Sequence, residues 1–235
     1  MKLYNYCLLF LSVFFFISCD KDTEDLSRST YYVAFHINGD NPAIVQVGEP
    51  YVDAGCVATL QGEDVTSKIT TESNVDADAM GLYKVEYSST DLNTDGLASR
   101  AVRDVIVCNP SVTTNLEGTW IVQDGSGRDR DGVVYPFSDY TVKIEYLAPG
   151  FFYVDDFLGG YYSQGVYAEY GSLTAAYGHF SLGEDNSISL IDSHNDGWDD
   201  ELEGLKDASY NPDNEEIKWS AIYANSSFNL ILKKQ

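Results

Sequence analysis

The chain has 235 residues, enough for one large domain or two of ordinary size. Hydrophobic residues make up 44% of it and charged residues 22%, a composition that predicts a buried core and excludes a largely disordered chain. The 37 acidic residues outnumber the 14 basic ones, and a surface with a net charge of -23 repels phosphates, which argues against nucleic acid as a partner. The aromatic content of 14% favours strands over helices.

The first residues have the pattern of an export signal. Lys2 precedes an apolar run from Cys7 to Ile17, which is short for a permanent membrane helix, and the chain turns polar directly after Ser18-Cys19. This pattern resembles a bacterial lipobox in the looser form seen in Bacteroidetes, where a peptidase cuts before the cysteine and the thiol carries a lipid. The resemblance implies a signal peptide over residues 1–18 and lipidation of Cys19. The alternatives are a signal peptide with Cys19 as a passenger, or a true membrane anchor.

The residues after Cys19 form an acidic stretch, and residues 19–30 are predicted to be a tether. The run at residues 20–25 resembles the Bacteroidetes signal for export to the outer face of the outer membrane, and a solvated linker is the simpler interpretation. We therefore expect an outer-membrane protein that is anchored by its lipid and faces the cell exterior. Such an oxidising setting permits a disulfide between Cys56 and Cys108, and burial of each as a small hydrophobic residue is the alternative.

Short strands separated by turns are predicted for residues 31–109, and no amphipathic helix lies between them. This spacing predicts an Ig-like β-sandwich. The segments VGEPYVDAGCVA at 47–58 and GLYKVEY at 81–87, with Arg103 before the final strand, resemble the bacterial surface-protein Ig-like family. Cys56 stands where that family usually has Ala. The resemblance implies a spacer or adhesion unit and names no ligand.

A polar stretch at 110–115 is predicted to link this unit to a second domain over residues 116–235. Alternating patterns there predict seven or eight strands in an antiparallel β-barrel or sandwich, so that the whole chain is all-β. The tripeptide Gly118-Thr119-Trp120 is a weak mark of lipocalin-like barrels. Through FLGGYY at 157–162, GWDD at 197–200 and KWS at 218–220, the region resembles the C-terminal domain of uncharacterised Bacteroides outer-membrane lipoproteins. That resemblance implies an accessory role in glycan-uptake loci.

Residues 159–171 combine glycines and polar residues with tyrosines, a mixture that predicts an exposed, turn-rich backbone. Bare rings on such a backbone are expected to serve binding, because exposed apolar patches usually mark contact sites. A sugar offers an apolar C–H face to a rigid ring and a hydroxyl rim to polar side chains. The predicted glycan-binding residues are Tyr161, Tyr162, Tyr167, Tyr170 and Trp198; the alternative is a hairpin whose rings cover the barrel.

The acidic stretch from residue 192 to 203 has the spacing of a twelve-residue calcium loop, with Gly197 at the sixth position. Its predicted ligands are Asp192, Asp196, Asp200 and Glu203. His194 at the third position is a poor calcium ligand and flanking helices are not evident, so a solvated turn is the alternative. Calcium is the one cofactor that the sequence suggests.

No constellation indicates catalysis. Asp155 and Asp156 are neighbours, which point to opposite faces in a strand, and the three histidines lack zinc spacing. We therefore predict a non-enzymatic surface lipoprotein that binds polysaccharide or oligosaccharide for an outer-membrane glycan-uptake system, with importer proteins as partners. Two alternatives remain open: a structural or adhesive module with a protein partner, and a lipocalin-like carrier of an apolar small molecule.

Overall fold

The computed structural model describes residues 30–90, 92–93 and 95–235. The predicted signal peptide, the lipidation site Cys19 and nearly all of the acidic tether lie outside these residues. The described part of the chain is built from strands with a few short helical turns, which confirms the predicted all-β class. Among these residues no helix combines the length and apolar character needed to span a bilayer.

The first unit is a sandwich of two sheets, which confirms the predicted Ig-like architecture. One sheet has the order β1-β3-β4 and the other β2-β7-β6-β5, in which β2 runs parallel to β7. Between the sheets lie Val85, Tyr87 and Val105, because alternate residues of β6 and β7 point inward. The strands are β1 Ala34–Ile37, β2 Ala43–Gln46, β3 Cys56–Leu60, β4 Glu63–Asp64, β5 Thr70–Ser73, β6 Gly81–Ser89 and β7 Ser99–Cys108, with a 3₁₀ turn at Thr66–Lys68.

The structure contains no disulfide between Cys56 and Cys108. Cys56 and Cys108 are both free and buried thiols. Cys56 begins β3 and packs between the two sheets, whereas Cys108 ends β7 and packs with Ile106 and Phe151 in a different cluster. The structure therefore supports the alternative, in which each cysteine is a small buried hydrophobic residue.

The second unit is a ten-stranded antiparallel sheet that curls into a half-barrel. Its main path is β10-β9-β17-β8-β11-β12-β13-β14, and β16 pairs with β17 and β15 beside that path. The sheet exceeds the predicted seven or eight strands partly because residues 127–136 form the additional β9–β10 hairpin. The strands are β8 Gly118–Val122, β9 Gly127–Arg130, β10 Val133–Pro136, β11 Thr141–Ala148, β12 Phe151–Val154, β13 Tyr177–Leu182, β14 Ile188–His194, β15 Gly204–Asn211, β16 Glu216–Tyr223 and β17 Ser226–Lys234.

The inside of the curled sheet is filled by large side chains. Six aromatic residues form its centre and each is at most 1% exposed: Trp120, Phe152, Phe157, Phe180, Trp219 and Phe228. The indole nitrogens are satisfied, since Trp120 donates to the Leu116 carbonyl and Trp219 to the Phe157 carbonyl, both at 2.9 Å. This packed interior, in an open half-barrel, gives no support to a lipocalin-like carrier.

The two units meet along the end of β7. Ile106 and Cys108 pack against Ala148 and Phe151 of the second unit. The predicted linker follows directly, and its Val112 is buried in the core of the second unit. The junction is therefore made of apolar contacts rather than of a free polar segment.

Candidate functional site

The five aromatic residues predicted to bind ligand lie together on one side of the second unit. Tyr162 is at their centre, with ring centroids 5.0 Å from Tyr161, 5.6 Å from Tyr167 and 5.3 Å from Trp198. Tyr170 extends the group at 6.5 Å from Tyr167. We call these five rings, together with Tyr223, the aromatic patch. Tyr223 completes it because its ring centroid lies 6.3 Å from that of Trp198.

The patch is partly open to solvent. Trp198 is 43% exposed, Tyr167 38% and Tyr170 58%, whereas Tyr162 is 8% exposed and forms the floor. Most of the rings meet at steep angles: Trp198 makes interplanar angles of 67° with Tyr162 and 63° with Tyr167. The exposed rings therefore enclose concave space rather than forming one flat face.

Four of these tyrosines come from a helical segment that connects β12 to β13. It consists of a π-helical turn, Tyr161–Val166, and a 3₁₀ helix, Ala168–Thr174. The expected turn-rich backbone is thus observed, in helical rather than hairpin form. Gly160 starts the segment with φ of 79°, and a Cβ there would lie 2.8 Å from the Cβ of Tyr140, so a larger residue does not fit.

A buried carboxylate fastens the start of this segment. One oxygen of Asp156 accepts from the N–H groups of Leu158 (2.9 Å) and Ala176 (3.2 Å). The other accepts from the Gly160 N–H (3.1 Å) and the Ser163 hydroxyl (2.7 Å). Burial raises the pKa of Asp156 to about 6, although these four donors favour the charged form. Asp156 therefore joins both ends of the tyrosine-bearing segment.

Arg128 supports the patch from beneath. Its guanidinium carbon lies 5.6 Å from the ring centroid of Tyr161 and 5.7 Å from those of Tyr162 and Phe228. The Nε and Nη2 atoms also donate to the Ser226 hydroxyl at 3.1 and 3.0 Å. These cation–π contacts fix the rings from below, and a strand of the β9–β10 hairpin supplies them.

Trp198 is held by a tight loop that Asn195 organises. Asn195 is fully buried; its side-chain oxygen accepts from the N–H groups of Gly197 (3.0 Å) and Trp198 (3.1 Å), and its amide donates to the Ala175 carbonyl (3.0 Å). Its backbone N–H donates to the Asp200 carbonyl at 2.8 Å and closes the loop. Asn195 thus ties the loop that carries Trp198 to the end of the helical segment.

Gly197 brings the loop and the helical segment into direct contact. Its N–H donates to the Leu173 carbonyl at 2.8 Å. A Cβ at Gly197 would lie 2.5 Å from that oxygen, which no side chain tolerates without displacement. The absence of a side chain is therefore what allows Trp198 to stand beside Tyr167.

The predicted calcium loop is not assembled, because its carboxylates point to separate partners. Asp200 accepts from the Tyr223 hydroxyl at 2.7 Å, inside the patch. A backbone bridge between Asn195 and Asp200 closes the middle of this stretch into a tight turn. Across residues 30–90, 92–93 and 95–235, no group of three or more His, Cys, Asp or Glu is arranged to hold a metal. The other predicted ligands contact His179 (Asp192), Tyr177 (Asp196) and the Asn225 N–H (Glu203).

Two clefts open on the patch. The first has a volume of about 430 Å³ and is lined by Tyr167, Tyr170, Leu173, Thr174, Gly197 and Trp198. The second has a volume of about 380 Å³ and is lined by Tyr162, Tyr167, Trp198, Asp200, Tyr223 and Ala224. Both volumes fall in the range of small-molecule sites, roughly 300–1,000 Å³.

Sequence reasoning missed some of the residues that shape the site. Tyr223 is 3% exposed and packs in the core of the second unit, yet it also lines the second cleft. Burial, followed by its hydrogen bond to Asp200, raises the pKa of Tyr223, so its hydroxyl stays protonated. The role of Asn195 in the loop could have been found from the sequence, because Asn195-Asp196-Gly197 is a turn pattern. No sequence pattern indicated that Leu173 would line a cleft.

The chain is similar to two known domain families and to a solved lipoprotein structure. A model of the bacterial surface protein Ig-like domain matches residues 35–107, and a model of a lipoprotein-like C-terminal domain matches residues 109–234, more than half of the chain. The Bacteroides thetaiotaomicron lipoprotein BT2262 is 33% identical over 86% of this chain and 100% of its own. The chain belongs to the BT2262-like lipoprotein family. The two structures superpose with a TM-score of 0.49.

The BT2262-like assignment confirms the predicted kind of protein, a surface lipoprotein with an Ig-like domain. Neither matched family is an enzymatic one. A second solved structure contains CBM51-2 in complex with GlcNAc, together with INT domains, from Clostridium perfringens ZmpB. It is 23% identical over 52% of this chain and 28% of its own, with a TM-score of 0.27. No curated protein matches the chain.

Proposed function

We propose that this lipoprotein binds a polysaccharide or oligosaccharide at the outer face of the outer membrane and presents it to an importer in that membrane. The observation that carries the proposal is the aromatic patch, in which exposed rings border concave space large enough for a sugar ring. Solvated rings at Trp198 and Tyr170 leave apolar surface available, and ligand binding would remove it from water.

The chemistry of the patch suits a sugar. The C–H face of a pyranose packs against an aromatic ring, and its hydroxyls need partners around the edge. Asp200 provides acceptor capacity there, because a carboxylate can accept more hydrogen bonds than the one that Tyr223 donates. The Tyr223 oxygen can itself accept a bond from a sugar hydroxyl. The site thus offers both apolar faces and polar edges.

The support beneath the rings also favours binding. Arg128 holds Tyr161 and Tyr162, and Asp156 fastens the segment that carries them. A ligand therefore meets rings that are already ordered, which lowers the entropy lost on binding. In this proposal the lipid on Cys19 anchors the protein, the acidic tether lifts it from the membrane, and the Ig-like unit is the spacer.

A protein partner is the competing function for the patch. Protein–protein interfaces are typically broad and bury about 800 Å² on each partner. The steep angles between Trp198 and its neighbours, with clefts on both sides, favour a small ring-shaped ligand over a flat surface. Recovery of a protein through the patch, with no glycan bound, would support the competing function.

A glycan array with the purified protein tests the proposal, followed by titration of the retained glycan. Trp198→Ala and Tyr167→Ala are each expected to weaken binding about five- to tenfold, since stacking on an aromatic ring is worth about 1–1.5 kcal/mol. Tyr146→Ala is the matched control, because Tyr146 is 40% exposed on β11 and packs against Phe152. Failure of every glycan to bind, or equal binding by the Trp198 variant, would refute the proposal.

A further inference from the structure

We infer that the site takes an uncharged oligosaccharide of at least two sugar units, one in each cleft, with the chain passing over a ridge formed by Tyr167 and Trp198. This inference rests on the proposed function and specifies its ligand. The ridge is the part of the site that both clefts share: Tyr167 and Trp198 line the first cleft and the second.

The rings form one continuous row through the two clefts. Tyr170, in the first cleft, lies 6.5 Å from Tyr167, which lies 5.9 Å from Trp198, which in turn lies 6.3 Å from Tyr223 in the second cleft. A single sugar unit in the second cleft leaves Tyr170 and Leu173 of the first cleft in water. A second unit buries that remaining surface, so affinity is expected to rise with ligand length.

The two clefts differ in chemistry. In the first, the lining side chains carry no charge, and Tyr170 and Leu173 are both more than half exposed. In the second, Asp200 and Tyr223 add an acceptor and a hydroxyl to the ring surfaces. The first cleft therefore binds by packing against a sugar face, and the second binds by packing together with hydrogen bonds to the hydroxyl rim.

The charges around the second cleft exclude acidic sugars. Asp200 lines the cleft, and Asp199 beside it has a side chain that is 97% exposed. A uronate or sulfate placed there lies within the Debye length of about 8 Å that applies at physiological salt. Neither Arg128 nor Arg130 lines this cleft, and Arg128 packs against Tyr161 and Phe228 and donates to Ser226, which do not line it either.

A length series on the purified protein tests this inference. Gluco-, manno-, galacto- and xylo-oligosaccharides of one to four units, and galacturonic acid oligomers of the same lengths, are titrated by calorimetry. We expect the neutral series that binds to gain at least tenfold in affinity from one unit to two, and galacturonic acid oligomers to bind at least tenfold more weakly than neutral ones.

Variants of each cleft complete the test. Leu173→Ala, in the first cleft, is expected to weaken the binding of the two-unit ligand about fivefold and to leave the single unit, bound in the second cleft, unchanged. Asp200→Asn keeps an acceptor for the Tyr223 hydroxyl. It is expected to reduce the difference in affinity between neutral and acidic oligosaccharides. Tyr146→Ala is again the control and should behave as the parent.

The outcomes separate this inference from the proposed function. Neutral binding that is equal for one and two units, or that is insensitive to Leu173→Ala, overturns the two-cleft arrangement and leaves glycan binding standing. Tighter binding of the galacturonic acid oligomers overturns the preference for uncharged ligands. Failure of all these series, together with an array without a single hit, overturns both proposals.

Discussion

The guanidinium Nε of Arg103 lies 2.9 Å from a carboxylate oxygen of Asp53, and the arginine side chain is only 1% exposed. The other guanidinium nitrogens donate to backbone carbonyls, at 2.6 Å to Asp40, 2.5 Å to Asn38 and 3.1 Å to Gly55. One buried side chain therefore joins β7 to the turn after β1 and to the segment before β3. The Arg expected before the final strand thus has a structural role in the Ig-like unit.

Replacement of Arg103 by Ala is expected to destabilise the Ig-like unit by about 3 kcal/mol or more. The change leaves the Asp53 carboxylate without its cation and removes the arginine donors from the carbonyls of Asn38 and Asp40. Denaturant unfolding measures the loss. Arg100→Ala is the matched control, because Arg100 forms an exposed pair with Glu86 at 3.4 Å, and it should have little measurable effect. Equal effects of the two variants would contradict this account.

The raised pKa of Asp156 predicts that the stability of the second unit depends on pH. Burial raises its pKa from 3.8 to about 6, so the folded state takes up a proton at a pH where the unfolded state does not. Protonation of Asp156 in the folded state therefore contributes stability that is fully present below about pH 4 and is lost as the pH rises through about 6. The corresponding free energy is roughly 3 kcal/mol. Unfolding of the parent and of Asp156→Asn between pH 4 and 8 measures it, and the variant should lack this component.

The Asn variant should also be less stable than the parent at pH 7. Its NH₂ group would face the Gly160 N–H, a donor against a donor, with an expected cost of about 1–3 kcal/mol. Asp155→Asn is the control, since its retained oxygen can still accept from the Lys143 N–H. An Asp156 variant with parental stability at pH 7 would show that the carboxylate does not fasten the helical segment.

Strand patterns were readable because burial alternates along the chain. Val142 and Ile144 of β11, and Ile217 and Trp219 of β16, are buried between more exposed neighbours, as the sequence predicts. The helical segment at 161–174 has no such period. Its path depends on Asp156, Gly160 and Tyr140, which contact it from elsewhere in the chain or set its start. Local sequence therefore predicted an exposed, turn-rich segment without its conformation.

The acidic loop shows why ligand spacing alone misleads. The positions of Asp192, Asp196 and Asp200 match a calcium loop in number and interval. Coordination also needs the oxygens to converge, whereas here the carboxylates bond to separate partners, His179, Tyr177 and Tyr223. The aromatic prediction rested on composition rather than on direction, and the structure brings its five residues together with Tyr162 buried at their centre. The role of those rings remains a proposal.

Calcium is expected to leave the stability of the protein unchanged. The carboxylates of the loop are engaged with Tyr177, His179 and Tyr223, and an ion would have to displace these partners. Thermal unfolding with about 1 mM CaCl₂ and with excess chelator measures this, since 1 mM lies at the weak end of extracellular calcium sites. Equal midpoints are the expected result. A rise in the midpoint that depends on calcium and disappears in Asp200→Asn would restore the calcium loop.

Substitution of Gly197 by Ala should open the first cleft. The new methyl group would lie 2.5 Å from the Leu173 carbonyl oxygen, so the loop that carries Trp198 has to move away from the helical segment. Loss of the Gly197–Leu173 hydrogen bond and the displacement together are expected to lower stability by about 1–3 kcal/mol and to weaken glycan binding. Intrinsic tryptophan fluorescence reports the movement, because Trp198 changes its contacts while Trp120 and Trp219 remain buried. Asp196→Ala, which alters the adjacent residue and keeps the close approach, is the control. A Gly197 variant with parental fluorescence and parental affinity would mean that contact between loop and helical segment does not shape the cleft.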